Sequence, residues 1–204
     1  LSTHLSFDLS NKFIDLQETL KPSIYIEVGA FDAEFSKIIL SKYPDAKIWA
    51  FEANPYVYEK NYPIDSINYI NKAVSDTLGF IQFELQKDVE KAAVNNSIMK
   101  RNEVKEYEYI LVESLTLNSL FSEFNNICLW IDCEGANREV LMGASNILPK
   151  VSSIFIEVEK TEYWKDQWLD NDVKEYLAKF GFVIFDSDTQ YQDQYNCIFI
   201  KNEQ

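Results

Sequence analysis

The chain has 204 residues, enough for one α/β domain with a full core. Its 33 acidic and 19 basic residues leave a formal charge of −14, which repels phosphate backbones and argues against long nucleic acids as partners. The single histidine, His4, sits in an N-terminus expected to fray, which removes Ser/His triads, histidine-ligated zinc and histidine general bases together.

Residues 11–20 carry apolar side chains at Phe13, Ile14, Leu16 and Leu20, a helical spacing that Lys21-Pro22 ends. Ile24-Tyr25-Ile26-Glu27-Val28-Gly29-Ala30-Phe31-Asp32 follows as the first strand, an apolar run that stops at a carboxylate and a glycine. Phe35, Ile38, Ile39 and Leu40 form the stripe of a helix ending near Tyr43-Pro44. The second strand is Ile48-Trp49-Ala50-Phe51-Glu52; after it Asn54 can cap, and Pro55 can open, a short helix through Tyr58. A third strand is expected over residues 67–74, and the alternation of strand and helix reads as a parallel sheet with right-handed crossovers.

Leu78-Gly79 marks a turn into an added strand over residues 80–85. Residues 86–108 are polar, charged and weakly periodic; the reading is a flap over the site, and the alternative is a solvated loop of no function. A short helix over 115–124 feeds a fourth strand at 127–132, and a helix at 137–148 leads to a fifth strand at 153–158. Residues 173–180 read as a helix closed by Gly181. Residues 182–185 and 196–200 close the sheet as an antiparallel hairpin. The whole, residues 1–204, reads as a single domain with an N-terminal helical segment over 1–22.

Gly29 lets the backbone turn sharply and approach a ligand, having no Cβ to exclude it. Glu52, 25 residues after Glu27, can accept both ribose hydroxyls of a nucleoside. A pyrophosphate site wants G-x-G-x-x-G, and here Phe31 and Asp32 or Ala33 occupy the later glycine positions. With no Lys or Arg from Glu27 to Glu34, a diphosphate would be repelled. The better cofactor is an adenosine with no phosphate and a positive charge, which describes S-adenosylmethionine.

Ligands of open α/β sheets bind at the carboxyl ends of strands. Four strands end in or near acids: Glu27, Glu52, Asp132 with Glu134, and Glu157 with Glu159. Helix capping is the plain alternative for each. In Asp132-Cys133-Glu134-Gly135 the pleat would put both carboxylates on one side, able to orient a hydroxyl, accept its proton, or hold a Mg²⁺ ion through oxygen. Against this stands Asp132 as a helix cap with Glu134 solvated. Cys133 is a poor nucleophile, having no His or Lys placed to lower its pKa.

Ile26-Glu27-Val28-Gly29-Ala30-Phe31-Asp32, Phe51-Glu52-Ala53-Asn54-Pro55, Ala73-Val74-Ser75-Asp76, and Trp130-Ile131-Asp132-Cys133-Glu134-Gly135-Ala136 with Val140-Leu141-Met142-Gly143-Ala144 resemble, in order and spacing, the FkbM-type methyltransferases. Ile154-Phe155-Ile156-Glu157-Val158 matches that family's next strand, so the resemblance runs from Ile24 to Glu159. It implies a class I methyltransferase (Rossmann-like) three-layer sandwich with a mostly parallel seven-stranded sheet. It also implies S-adenosylmethionine as donor and O-methylation of a sugar or other small hydroxylated metabolite, such as a glycan precursor. By the same resemblance Glu27, Gly29 and Ala30 would cradle the methionine part, Glu52 the ribose, and Ala53, Asn54, Ala73, Val74 and Ser75 the adenine side. Asp132 would join the cofactor site, and Asp132, Glu134 or Glu157 would accept the hydroxyl proton; no metal ligand set is assigned, although Mg²⁺ is a candidate aid. Tyr163, Trp164 and Trp168 could stack on a sugar ring, although core or interface packing is the commoner use of such aromatics. The family usually has Asp at Glu27, Gly at Ala33, Lys at Trp130 and Glu at Asn137, so a cation near Asp132 is lost here.

Two other readings stand beside this one. A domain keeping the fold without turnover would bind ligand only, and an NAD-dependent oxidoreductase is opposed by the missing glycine motif. Cys128, Cys133 and Cys197 lack C-x-x-C spacing and read as reduced thiols of a cytoplasmic protein. No apolar run approaches the ~18 residues of a membrane span and no signal h-region is visible, so no membrane partner is expected. The chain begins at Leu1 without Met, as an excerpt from a longer protein would.

Overall fold

A computed structural model describes residues 7–86, 96–102, 106–189 and 192–202. His4, Asn95 and residues 87–95 and 103–105 of the expected flap lie outside the described residues. In chain order the first half holds α1 (Phe7–Leu20), β1 (Ile24–Val28), α2 (Glu34–Lys42), β2 (Ile48–Phe51), α3 (Pro55–Asn61), β3 (Asn68–Ile70), β4 (Ala73–Val74) and β5 (Gly79–Gln86). The second half holds β6 (Tyr107–Leu115), α4 (Leu117–Phe121), β7 (Ile127–Ile131), α5 (Asn137–Gly143), β8 (Val151–Glu159), α6 (Asp170–Ala178), β9 (Phe182–Ser187) and β10 (Gln194–Lys201).

Seven strands form one sheet in the order β3-β2-β1-β7-β8-β10-β9. Pairing is parallel from β3 through β8, and β10 is antiparallel to both β8 and β9, the expected closing hairpin. Side chains alternate across this sheet, so each strand feeds two cores. Ile24, Ile26 and Val28 of β1, with Ile127, Leu129 and Ile131 of β7, enter the layer packed by α4, α5 and α6. Tyr25, Cys128, Trp130 and Phe155 enter the opposite layer, where α1 contributes Leu9, Phe13 and Ile14 and α2 contributes Phe35 and Ile39. Burying each such aliphatic side chain contributes about 1.5–3 kcal/mol, which fixes the register that brings the strand ends level.

Local signals explain the elements that frame those ends. Asn54 Oδ1 accepts the Tyr56 amide at 3.0 Å with Pro55 following, so the capped short helix α3 forms as its sequence predicts. Lys21, at φ 48, ends α1, and its amide returns to the Gln17 carbonyl at 2.9 Å.

The strand expected over 67–74 is instead two strands in different sheets. Asn71 Nδ2 donates to the Glu52 carbonyl at 2.8 Å, which bends the chain off the main sheet. Beyond that bend, β4 joins a second sheet of order β4-β6-β5. Its middle strand β6 was not expected from the sequence, and it occupies the end of the predicted flap and the residues after it. The helix expected at 137–148 is shortened to α5 followed by a tight turn at Leu148–Lys150, and the helix before Gly181 starts and ends earlier, as α6. Cys128 and Cys197 are buried and Cys133 half-buried, all as free thiols. Among the described residues no helix is long and apolar enough to cross a membrane.

Candidate functional site

The carboxyl ends of β1, β2 and β7 are laced together. The amides of Gly29 and Ala30 both donate to the Phe51 carbonyl, at 3.1 and 2.9 Å, and the Asp132 amide donates to the Val28 carbonyl at 3.0 Å. Gly29 takes φ +75, and a Cβ there would lie 1.7 Å from the Asp132 carbonyl oxygen. Only glycine lets the two strand ends come this close. Phe31 and Ala33 also adopt left-handed backbone, at φ 49 and 60, so the chain curls around an opening before α2 begins.

Over this edge lies a cleft with about 970 Å³ of empty space, the solvent at its mouth included. Of the residues that the sequence singles out, Glu27, Gly29, Ala30, Glu52, Ala53, Asn54, Ala73, Val74, Asp132 and Glu134 line it. Ser75 and Glu157 do not line it. Ser75 is buried with its hydroxyl toward Asp76, and Glu157 lies on β8 with its carboxylate bound by Gln194 Nε2 at 2.6 Å.

Glu52 is 7% exposed, and each of its carboxylate oxygens already holds a backbone amide. Phe31 N donates to Oε2 at 2.8 Å and Asn54 N to Oε1 at 2.6 Å. The side chain is thereby locked between the two loops, with lone pairs left for a ligand's hydroxyls. Burial pushes its pKa up to about 7, against the pull of those amides. Glu27 is held by Ser36 in the first turn of α2, whose amide and hydroxyl donate to Oε2 at 3.0 and 2.5 Å, and burial pushes it to about 8.

Asp132 and Glu134 differ from these two, since no described residue donates a hydrogen bond to either carboxylate. Burial raises Asp132 above the ordinary carboxylate range. Burial, then repulsion from Asp132 and Glu159, lifts Glu134 to about 8, with Arg101 opposing. Glu157 is raised by burial and by the same acids, and Glu159, bound by Gln167 Nε2 at 3.2 Å, is lifted to about 8. Cys133 is also raised, by burial and by neighbouring carboxylates, which leaves it a poor nucleophile. Among the described residues no three His, Cys, Asp or Glu side chains are grouped to hold a metal ion, so the Mg²⁺ candidate has no ligand set there.

Described parts of the expected flap do meet the cavity. Asn96, Ser97 and Ile98 line it, Ser97 Oγ donates to the Glu134 carbonyl at 2.7 Å, and the Glu84 amide donates to the Ser97 carbonyl at 2.8 Å. Residues 96–102 also run against the segment after β8, through Lys165 N to the Lys100 carbonyl at 2.7 Å and Asn102 N to the Tyr163 carbonyl at 2.8 Å. Trp164 is buried there, so close to Gly135 that a Cβ on that glycine would meet its ring at 2.6 Å. Trp168 packs on Tyr176 at 4.9 Å. Neither these tryptophans nor Tyr163 line the cavity, so the tryptophans serve packing, the commoner of the two uses weighed for them, rather than stacking on a sugar.

Sequence reasoning missed Ser36 and Phe83, and it named Asn137 only as a departure from the family pattern. Ser36 carries a readable signal, a hydroxyl in the first turn of the helix after the Glu27 strand. Phe83 enters the cavity from the second sheet, which was itself unexpected. Asn137 Nδ2 donates to the Glu157 carbonyl at 2.7 Å, tying α5 to β8, a contact with no local sequence sign.

Among known proteins, residues 18–184 match the family model described as the methyltransferase FkbM domain. The 2-O-methyltransferase NoeI of Sinorhizobium fredii (strain NBRC 101917 / NGR234) is 26% identical over 195 residues, covering 87% of this chain and 80% of that protein. The solved structure of methyltransferase FkbM from Methylobacillus flagellatus KT superposes with a TM-score of 0.53 at 12% identity, over 88% of this chain and 43% of that one. Magnesium protoporphyrin IX methyltransferase (ChlM) from Synechocystis PCC 6803, solved with bound SAM, gives 0.52 at 8% identity over 97% and 78%. At such identities the two structures attest the shared fold alone.

Proposed function

Because the chain belongs to the FkbM methyltransferase family, we propose that its cavity binds S-adenosylmethionine and that the protein methylates a hydroxyl of a small acceptor, a sugar or glycan precursor, as a single domain. The observation that carries this reading is Glu52, a buried carboxylate locked by two backbone amides at the rim of a cavity made by three strand ends. Its remaining lone pairs suit the two ribose hydroxyls. Ala53, Asn54, Ala73 and Val74, with Val57 and Phe83, give the adenine a largely apolar wall, and Ser75 follows Val74 just outside it. Gly29 and Ala30 leave space for the methionine part, beside Glu27.

The fit is also electrostatic. No lysine or arginine stands from Glu27 to Glu34, and the cavity carries carboxylates on both sides, which favours a cationic adenosine over a diphosphate. When bound, that group supplies an electrophilic methyl whose departure neutralises a positive charge, so the leaving side needs no acid. What remains for the protein is alignment, exclusion of water and removal of one proton. Asp132 takes that proton from the acceptor hydroxyl, since it lines the cavity and its carboxylate receives no hydrogen bond from the described residues; Glu134 lines the cavity next to it, and Glu157 stands outside the lining. The name of the NoeI relative, a 2-O-methyltransferase, supports oxygen as the atom methylated.

Calorimetry with S-adenosylhomocysteine tests the reading first, with micromolar binding expected. Transfer of labelled methyl from S-adenosylmethionine to a panel of sugars tests the second step. Failure to bind the cofactor product would overturn the proposal.

A further inference from the structure

Glu134 and Gly135 both carry left-handed backbone, at φ 50 and 83, and the Ala136 amide returns to the Cys133 carbonyl at 3.3 Å. That is the pattern of a type I′ turn, whose two central residues need φ above zero. Glycine takes the second place without strain, whereas glutamate in the first crowds its Cβ against the following carbonyl. Such a conformation persists only where its surroundings over-determine it. The Asp132 amide pins the start of the turn to the Val28 carbonyl at 3.0 Å, and the Trp164 ring packs against Gly135. Neither of these is a hydrogen bond to the peptide that joins Glu134 to Gly135. Ser97 makes that bond, its hydroxyl donating to the Glu134 carbonyl at 2.7 Å.

The hydroxyl is itself prearranged. The Met99 amide donates to Ser97 Oγ at 3.0 Å, which occupies a lone pair and leaves the hydroxyl proton for Glu134. The Ser97 carbonyl accepts the Glu84 amide at 2.8 Å, so the second sheet fixes the backbone that carries it. Farther along, residues 100–102 pair with 163–165, the segment that sets Trp164 on Gly135. One stretch of chain, 97–102, thus bears on both holds of the turn. Ser97 and Trp164 are each 3% exposed, so water does not stand in for either. Without the hydroxyl, Glu134 can relax to negative φ while Gly135 keeps its own, as in a type II turn. The Glu134 carboxyl would then leave its place in the lining next to Asp132.

Taking the cavity as the methyl-transfer site, we propose that Ser97 is a positioning residue for the transfer: its hydroxyl holds the turn at 133–136 in the left-handed form that sets the Asp132 and Glu134 carboxyls beside the methyl. Spent on Glu134 and Met99, that hydroxyl takes no part in moving the proton and acts through the turn.

The test needs no acceptor. S-adenosylhomocysteine lacks the methyl and sinefungin carries a protonated amine in its place, so the ratio of their dissociation constants reads how closely the carboxyls of the turn approach that point. Calorimetry at about pH 8, where Asp132 is ionised, should find sinefungin about 10-fold tighter on the parental protein, the worth of one hydrogen bond to a charged group. In Ser97→Ala the two ligands should come within about 2-fold of each other, with S-adenosylhomocysteine bound within about 3-fold of the parental affinity. Ser97→Thr, which restores the hydroxyl, should recover the preference. Backbone couplings measured by NMR separate positive from negative φ; Glu134 should be left-handed in the parent and in Ser97→Thr, and should leave that region in Ser97→Ala. A left-handed Glu134 in the alanine variant, an unchanged preference there, loss of both ligands alike, failure of threonine to restore the preference, or equal binding of the two ligands to the parental protein would overturn the proposal. Failure of the parental protein to bind either ligand would instead refute the assignment of the cavity as a cofactor site, whatever the couplings show.

Discussion

Glu52→Gln separates binding chemistry from architecture. Glutamine keeps the size of the side chain and one carbonyl oxygen, so one of the two amide contacts, Phe31 N at 2.8 Å or Asn54 N at 2.6 Å, retains its acceptor. The other then faces an NH₂ group. Ribose hydroxyls lose a charged acceptor, and two charge-assisted bonds at roughly 1.5–3 kcal/mol each fall to ordinary ones of about 1. The net loss is about 1–4 kcal/mol, or a roughly 5- to 900-fold weaker Kd for S-adenosylhomocysteine. A second reading comes from pH. With Glu52 pushed up to about 7 by burial, the free protein carries a proton there below that pH, and that proton must leave before the carboxylate can accept both hydroxyls. Parental affinity should therefore fall as pH drops below about 7, by up to tenfold per unit, and the glutamine variant should lose that part of the slope. Calorimetry from about pH 5.5 to 8 measures both. A variant that binds within threefold of the parent, or that keeps the parental slope, would refute the ribose assignment.

Asp132→Asn keeps shape but cannot take a proton, so kcat should fall about 10²–10⁴-fold with cofactor affinity within a few fold; parental turnover on an identified acceptor would move the role to Glu134 or Glu157. Gly29→Ala should destabilise the fold by more than ~3 kcal/mol, since the new Cβ would meet the Asp132 carbonyl at 1.7 Å from a left-handed residue; a melting temperature within about 3 °C of the parent would contradict the close approach. Ligand-free protein should lose stability as pH rises. Glu52, raised to about 7, and Glu27, Glu134 and Glu159, raised to about 8, keep protons in the fold that the unfolded chain releases near its ordinary value of 4.5. The folded state binds more protons between about 4.5 and 8, so stability is highest at the acid end of that window and declines through it, by about 3 kcal/mol from Glu52 alone. A higher melting temperature at pH 8 than at pH 5.5 would break that argument.

The main sheet was legible because its strands are short apolar runs ending at turn residues, and their order follows from parallel strands joined by helices. The site's edge was legible for the same reason, since Glu27, Glu52 and Asp132 sit where those runs stop. The second sheet was hidden by composition. Tyr107, Tyr109 and Leu111 line the partly or largely exposed face of β6 while Ile110 and Val112 point to the other, so large side chains stand on both faces and the sequence lacks the polar–apolar alternation of a half-buried strand. The break between β3 and β4 did carry a sign, Asn71-Lys72 within an otherwise continuous run, but the hydrogen bond from Asn71 to the Glu52 carbonyl that bends the chain is a tertiary contact. Partners of the acids were the least legible feature. Whether a carboxylate is held by Ser36 or left facing a cavity depends on helices that arrive from elsewhere in the chain.

Trp130 shows how such a difference propagates. It is the register partner of Glu27, at the position where the family resemblance implies lysine. A lysine there would set an ammonium against the acid at 27. Here the indole is stacked on Phe155 at 3.7 Å and on Phe35 at 4.6 Å, with Phe13 at its edge, 3% exposed. That aromatic column fixes α1 and α2 on the sheet by dispersion and burial, worth about 3–5 kcal/mol for the tryptophan alone. It also deprives Glu27 of a neutralising neighbour. Ser36 supplies hydrogen bonds but no charge, which is why burial can push Glu27 to about 8. Packing thus stands where a cation would, and Glu27 answers its burial by holding a proton up to about pH 8 rather than by pairing with a charge.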